Sequence, residues 1–302
     1  MKTVCVVYNP TKIDDLDQRQ GTADALCAEH GYESPTWIET SADDPGIAMG
    51  RQALEAGADL VCAMGGDGTV RHVAAALRGS GVPMGLIPEG TGNLLARNLE
   101  IPLDDFATAF ELALSGRDRA IDVGLVQFDD QPEEVLLVIA GVGLDADTMA
   151  NTNEKLKKAV GWVAYVESGA KALLNKGFGV RVTNDLPGPD GRSHRARSYM
   201  VCNCGTLTGG VVLVPEAEPD DGQLDVLVLS PRGLFGWAGV FIDVLTGHRR
   251  GHKMLRHWTT HQAEATFSNP VEGQIDGDAV GKVRRMRTDL DEGALVVRVA
   301  QD

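Results

Sequence analysis

The segment Asp59–Met64, apolar after its first residue, runs straight into Gly65-Gly66-Asp67-Gly68-Thr69. A strand ending in glycines brings backbone N–H groups close to whatever lies above it. An Asp in such a turn orients a metal or a water, and a Thr caps the following helix. A second turn of the same kind, Pro88-Glu89-Gly90-Thr91-Gly92-Asn93, follows the short apolar run Met84–Ile87. Either turn alone also serves simply to join a strand to a helix. Two in succession, each with a Thr after a glycine, point to phosphates lying across the carboxyl edge of a parallel sheet.

The rest of the N-terminal part supports that sheet. Strand-like runs at Lys2–Tyr8, Pro35–Glu39, Asp59–Met64 and Met84–Ile87 alternate with helical patterns. The helices are expected at Asp15–His30, Ile47–Ala56, Thr69–Leu77, Asn93–Asn98 and Phe106–Leu114, with Gly31, Gly57 and Gly116 as stops. That alternation predicts an α/β domain with parallel strands. The pattern changes near Arg119. Ile121–Phe128 and Glu134–Ala140 read as a hairpin around Asp129-Asp130-Gln131-Pro132, and a helical stretch covers Glu154–Asn175. Strands are then expected around Gly179–Asn184, His194–Asn203, Gln223–Leu229, Arg256–His261, Glu264–Ser268, Val271–Ile275 and Leu295–Val299. Few helices intervene, so the second domain reads as a largely antiparallel sandwich.

Composition bounds the partners. With 302 residues and 43% hydrophobic content the chain can build two cores. A net charge of −15 argues against nucleic-acid binding through the overall field. It also means that membrane contact needs a local basic or apolar patch. The apolar run Gly233–Leu245 beside Arg249, Arg250, Lys253 and Arg256 has that character, and equally that of a helix packed on the sandwich. The five cysteines include only one close pair, Cys202 and Cys204, which reads as buried reduced thiols rather than a zinc site. No long apolar segment and no signal-like start occur, so a cytoplasmic protein, at most peripheral to the membrane, is expected.

Other motifs fall away on inspection. Gly277–Lys282 is one residue short of a Walker A and lacks its hydroxyl. Gly141-Val142-Gly143-Leu144-Asp145-Ala146 fits a loose dinucleotide pattern, but the acidic residue at the required distance, Glu167, lies in a helical stretch. No G-x-S-x-G and no H-E-x-x-H is present. Ile275-Asp276-Gly277-Asp278 reads either as an Asp-Gly hairpin turn or as a pair of carboxylates at a strand end.

Taken in order, these runs resemble the diacylglycerol kinase-like lipid kinases, the soluble bacterial diacylglycerol kinases and sphingosine kinase relatives. The resemblance rests on Tyr8-Asn9-Pro10, Gly65–Thr69, Pro88–Asn93 with Ala96-Arg97, Ile121–Gly124, Gly141–Ala146, Asp220-Asp221-Gly222 and Asp276-Gly277-Asp278. The first glycine run is shared with NAD kinases. The second, with the later Asp-Gly runs, points to lipid kinases.

The resemblance implies an ATP-binding α/β domain over residues 1–118, to which residues 288–302 return, and a lipid-binding β-sandwich over 119–287. The active site is expected in the cleft between them. It implies an ATP site formed by Asn9, Thr40, Gly65, Gly66, Asp67, Gly68, Thr69, Gly90, Thr91, Asn93 and Asp278. Asp67 and Asp122 belong to an Asp–water–Mg²⁺ network, Asp276 is the expected general base, and Asp221 with the Gln223 carbonyl is the expected structural metal site. The implied reaction is ATP- and Mg²⁺-dependent phosphorylation of a diacylglycerol-like lipid at a membrane surface. Lys155, Lys157 and Lys158 match a basic position of the family.

The chain departs from the family pattern at Arg71-His72 (usually Asn-Glu), at Leu94 (usually Asp), at Asp278 (usually Glu) and at Thr11-Lys12-Ile13, which lacks a glycine. The alternatives are a kinase for a sphingoid or soluble polyol and a nucleotide- or lipid-binding protein without catalysis. Edge strands of the second domain offer a route to a homodimer.

Overall fold

The computed structural model describes residues 1–143, 177–185, 191, 193–207, 211–231 and 254–301. Three expectations therefore lie outside the described residues: the helix over 154–175 with its lysines, the latter part of the Gly141–Ala146 run, and the apolar and basic run over 233–253. The chain divides into two units, Met1–Val123 with Asp291–Asp302, and Gly124–Leu290.

The first unit is built on β1 (Val4–Tyr8), β2 (Thr36–Glu39), β3 (Leu60–Gly65) and β4 (Met84–Pro88), which lie parallel in the order β4-β3-β1-β2. Every residue of β1, β3 and β4 is buried. That explains why these strands are continuous apolar runs rather than alternating ones. Helices α1 (Leu16–Glu29), α2 (Ile47–Glu55), α3 (Asp67–Leu77), α4 (Leu94–Asn98) and α5 (Phe106–Ser115) connect them. Phe110 of α5 packs with Val4, Val6, Leu60, Cys62 and Ile87 in the core. Near the chain's end Val297 pairs in parallel with Met84, adding a strand beside β4.

The second unit is mainly antiparallel. Its strands are the latter part of β5 (Arg117–Phe128), β6 (Glu134–Leu136), β7 (Ile139–Gly143), β8 (Phe178–Asn184), β9 (Ser193–Ala196), β10 (Ser198–Cys202), β11 (Leu224–Leu229), β12 (Leu255–Thr260), β13 (Ala263–Ile275) and the first part of β14 (Asp278–Val299). One row of pairs runs β12-β11-β10-β7-β13. β13 serves two neighbours in turn, β8 along Ala263–Phe267 and β7 along Gly273–Ile275. Its inward residues share a core with Phe178, Tyr199, Val226 and Met286.

Several boundaries differ from the sequence reading, four of them in the strands beyond Arg119. Glu134–Ala140 is two strands, because the N–H groups of Leu137, Val138 and Ile139 are taken by the Asp276 carboxylate instead of a ladder. His194–Asn203 breaks at Arg197, whose N–H turns to the Leu229 carbonyl. The two strands expected at Glu264–Ser268 and Val271–Ile275 are one, with a register irregularity between Thr266 and Val271. Leu295–Val299 is the tail of a strand that begins at Asp278. Its first part is rich in arginine and offers no apolar run. Cross-strand ion pairs such as Arg287 with Glu264, at 2.7 Å, accompany the alternation there.

Candidate functional site

The two glycine turns touch. A Cβ at Gly90 would lie 2.7 Å from the Gly66 Cα, and one at Gly65 would lie 2.6 Å from the Thr69 Cβ. Glycine is thus dictated by backbone proximity at both turns. The Glu89 N–H donates to the Gly65 carbonyl at 2.9 Å, so the ends of β3 and β4 are bonded to each other. Helix α3 begins at Asp67, two residues before the expected Thr69, and no side chain caps its N-cap Gly66. A helix N-terminus framed by glycines favours an anion through its dipole and N–H groups.

Asp67 does more than face that site. Its Oδ2 accepts from Asn93 N at 2.9 Å and its Oδ1 accepts from Leu94 N at 2.5 Å. It therefore caps α4 from across the cradle. Asn93 is left-handed (φ 48°) and closes its own turn, with Oδ1 accepting from Gly90 N and Nδ2 donating to Gly90 O, both at 2.9 Å. Thr91 is exposed at the tip. Asn9 follows β1 and accepts from Thr11 N and Oγ1. Thr40 is buried at the end of β2, with its N–H on the Tyr8 carbonyl at 2.9 Å. Both sit at the same carboxyl edge as the glycine turns. Asp122 is buried in β5 and accepts from Gly293 N at 2.7 Å, tying the chain's last segment to this unit.

Two contacts here were not foreseen from sequence. Arg19 of α1 pairs with Glu89 in the second turn and with Asp15 at 2.6 Å, and its guanidinium lies 5.3 Å from the Phe106 ring centre. A cavity of about 260 Å³ lies beside it, lined by Pro88, Glu89, Gly90, Leu103 and Phe106 among others. Asp44 caps α2 through the N–H groups of Gly46, Ile47 and Ala48. Burial acts to raise its carboxyl, but these bonds and the nearby His72 ring hold it below the ordinary range. His72 in turn bonds the Gly68 carbonyl at 2.6 Å. The Arg19–Glu89 contact joins residues 70 apart in the chain, so no sequence period announces it, whereas Asp44 caps the helix that starts three residues after it.

In the second unit Asp276 and Gly277 form a two-residue hairpin loop between Ile275 and Asp278, with φ of 46° and 97°. This is the Asp-Gly turn of a hairpin. Asp276 is 4% exposed. Its Oδ1 accepts from Val138 and Ile139 N, both at 2.9 Å, and its Oδ2 from Leu137 N at 3.0 Å. Asp278 is exposed. Gln274 bonds the loop through Oε1, which accepts from Gly277 N at 2.9 Å. Asp221 is exposed and accepts from Gln223 N at 2.9 Å, a local turn. His257 pairs with Asp225, and His261 with Asp185 at 2.8 Å, so the two histidines go to different carboxylates.

None of the five cysteines is in a disulfide, and all are buried. Burial pushes the Cys62 thiol well up and, with Asp24 nearby, the Cys27 thiol to about 11. Among the described residues no group of three or more His, Cys, Asp or Glu side chains is arranged to hold a metal ion.

A parallel sheet whose carboxyl edge carries two touching glycine turns, followed by a mainly antiparallel unit with a carboxylate-bearing hairpin, is the architecture that the resemblance to the lipid kinases implies. Comparison with known proteins agrees. Residues 3–126 match the diacylglycerol kinase catalytic domain, and residues 137–298 match the YegS C-terminal NAD kinase beta sandwich-like domain. The chain is 28% identical to a diacylglycerol kinase of Bacillus subtilis (strain 168), over 93% of this chain and 91% of that one. It is 36% identical to a protein of Pseudomonas fluorescens named as a probable YegS-like lipid kinase, over 83% and 81% of the two chains. A crystal structure of a diacylglycerol kinase from Bacillus anthracis str. Sterne superposes with a TM-score of 0.75 at 21% identity, covering 99% of this chain and 97% of that one. The chain belongs to the diacylglycerol kinase family of lipid kinases, phosphotransferases with an alcohol as acceptor.

Proposed function

We propose that this protein transfers the γ-phosphoryl group of ATP to a hydroxyl of a diacylglycerol-like lipid. The observation that carries this reading is the Gly66–Gly90 contact, which packs two glycine turns backbone to backbone beside an uncapped helix N-terminus. Backbone N–H groups and the α3 dipole bind the phosphates there, and Asn93, Thr91, Asn9 and Thr40 border them. In the reaction the lipid hydroxyl oxygen bonds to the γ-phosphorus while the bond from that phosphorus to the bridging oxygen breaks. ADP leaves, and the hydroxyl proton passes to a carboxylate.

Mg²⁺ suits this site. It prefers a few carboxylates with water, and Asp67 places a carboxylate in the first turn of α3 beside the glycine turns. A cavity of about 10 Å³ lined by Asp67 and Asn93 has room for one water. Asp67 and Asp122 would hold the ion, which supplies charge neutralisation on the phosphate oxygens. Asp221 with the Gln223 carbonyl is the corresponding proposal for a structural metal.

For the proton acceptor, the geometry favours Asp278 over Asp276. Asp276 is buried with three backbone donors on its oxygens, an arrangement that fixes the turn. Asp278 is the exposed carboxylate of the same turn. General-base help of this kind contributes about 10²–10⁴-fold.

The test is transfer of labelled γ-phosphate to lipids in mixed micelles with Mg²⁺, with sphingoid bases and soluble polyols as further arms. Wild type, Asp276→Asn and Asp278→Asn are compared. A labelled phosphatidic acid-type product is expected. Transfer to no lipid, with ATP still bound, would sink the proposal. Transfer only to a soluble polyol would leave a kinase but remove the lipid and its membrane surface.

A further inference from the structure

Gln274 is 1% exposed, and its carboxamide is split in its bonding. The carbonyl end accepts from Gly277 N, in the middle of the Asp276-Gly277-Asp278 turn, at 2.9 Å. The amino end, Nε2, meets no acceptor among the described residues. Burying N–H donors without a partner costs stability. The flanking positions of the same strand are Gly273 and the core residue Ile275. An unbranched apolar side chain such as Met would occupy position 274 without that cost.

Two further observations tie Gln274 to the turn rather than to the core. The β13–β14 register is irregular between Gly273 and Gln274, immediately before the loop. Bulges of this kind re-aim a side chain. The loop itself also needs restraint. Asp276 is a non-glycine residue at positive φ, and Gly277 beside it has the freedom of glycine. The three bonds to Leu137–Ile139 fix the Asp276 side chain. Only Gln274 reaches the Gly277 backbone in the described hydrogen bonds, and Gly277 sets the direction in which the chain delivers Asp278.

We infer that Gln274 is a positioning residue: its carbonyl end holds the Asp276–Asp278 turn in the geometry for proton transfer, at the expense of fold stability. This rests on the kinase reading above. The exposed part of Gly277 lets water replace the bond when the side chain is removed, so losing it does not unfold the hairpin.

Full-length Gln274→Met and Gln274→Glu, compared with wild type, test it. The Met variant should lose about 10- to 100-fold in kcat, the usual scale for a misplaced catalytic group. Its KM for ATP should be unchanged and its Tm no lower than wild type. Exchange of the Gly277 amide with deuterium should quicken. The Glu variant keeps an acceptor at the same reach, so it should restore slow exchange and recover part of kcat. A Met variant with wild-type kcat overturns the inference. So does a loss of kcat matched by a fall in Tm, or a Glu variant no better than Met. Failure of the kinase reading is separate: wild type then phosphorylates no lipid, while exchange at Gly277 still reports whether Gln274 holds the turn.

Discussion

Asp67 reaches 26 residues along the chain to the N–H groups at the start of α4, and Asp276 reaches 138 residues back to those between β6 and β7. Each carboxylate staples its own turn to a distant backbone. The surroundings differ. Asp67 stands in the first turn of α3, after the N-cap Gly66, in a turn that meets a second one across a glycine contact. Asp276 stands in a hairpin loop, is buried, and spends its oxygens on three backbone donors. The first arrangement sits at a helix start whose N-cap is a glycine, and the second spends three backbone donors on one carboxylate.

Removing each staple sharpens that contrast. Asp276→Ala strands three buried N–H groups and should lower stability by about 3 kcal/mol or more. Asp67→Ala strands two, and should cost about 2 kcal/mol. Urea midpoints measure both. A larger loss at Asp67 would break the comparison. Asp278→Asn should instead leave stability within about 0.5 kcal/mol, as at an ordinary surface position, while lowering kcat by about 10²–10⁴. If Asp276→Asn keeps its stability and loses all activity while Asp278→Asn keeps its rate, the base belongs to Asp276 after all.

The glycine turns allow a finer cut. At Gly90 a Cβ comes within 2.7 Å of the Gly66 Cα, whereas at Gly66 its nearest neighbour is 3.5 Å away. Gly90→Ala should push the turns apart at a cost of about 1–3 kcal/mol, read as a rise in KM for ATP of about tenfold or more. Gly66→Ala should change that KM about threefold at most. Equal effects would mean that the contact between the turns does not shape the phosphate site.

These turns were also the most legible part of the sequence. Gly65–Thr69 and Pro88–Asn93 follow apolar strands, and their pattern is local, so spacing alone placed the parallel sheet and the two turns at its edge. Asp276-Gly277 was legible as a hairpin for the same reason. What sequence could not give was the partner of each polar side chain. Nothing near Asp276 points to Leu137, and nothing near Arg19 points to Glu89. The first part of β14 escaped notice because Lys282, Arg284 and Arg287 are exposed on it and leave no apolar run to read.

Arg19 supplies the next smaller effect. Its side chain and that of Glu89 are 17% and 15% exposed, between a surface pair and a buried one. Arg19→Ala should therefore cost about 1–3 kcal/mol and raise KM for ATP severalfold, because Glu89 carries the N–H that joins the two turns. The exchange Arg19→Glu with Glu89→Arg should recover part of that loss. If it recovers nothing, the pair does not act through its charges.

The smallest effect concerns acid. In the first unit Asp44 is held below the ordinary carboxyl range chiefly by backbone N–H groups, against the opposing pull of burial. In the second unit Asp185 is held further below it. Burial again opposes, and is outweighed by the Thr260 hydroxyl, the Gln262 N–H and the His261 ring and N–H. A carboxyl whose pKa is depressed by folding stabilises the protein above its unfolded value, about 3.9 for Asp. That contribution is lost as pH falls from there toward the folded value. Between about pH 5 and pH 3 the unfolding free energy of wild type should therefore fall more steeply than that of Asp185→Asn, with Asp44→Asn intermediate. The slope against pH, taken from urea titrations, is the measurement. Parallel slopes for wild type and Asp185→Asn would show that the bonds to Asp185 persist in the unfolded chain or contribute nothing to folding.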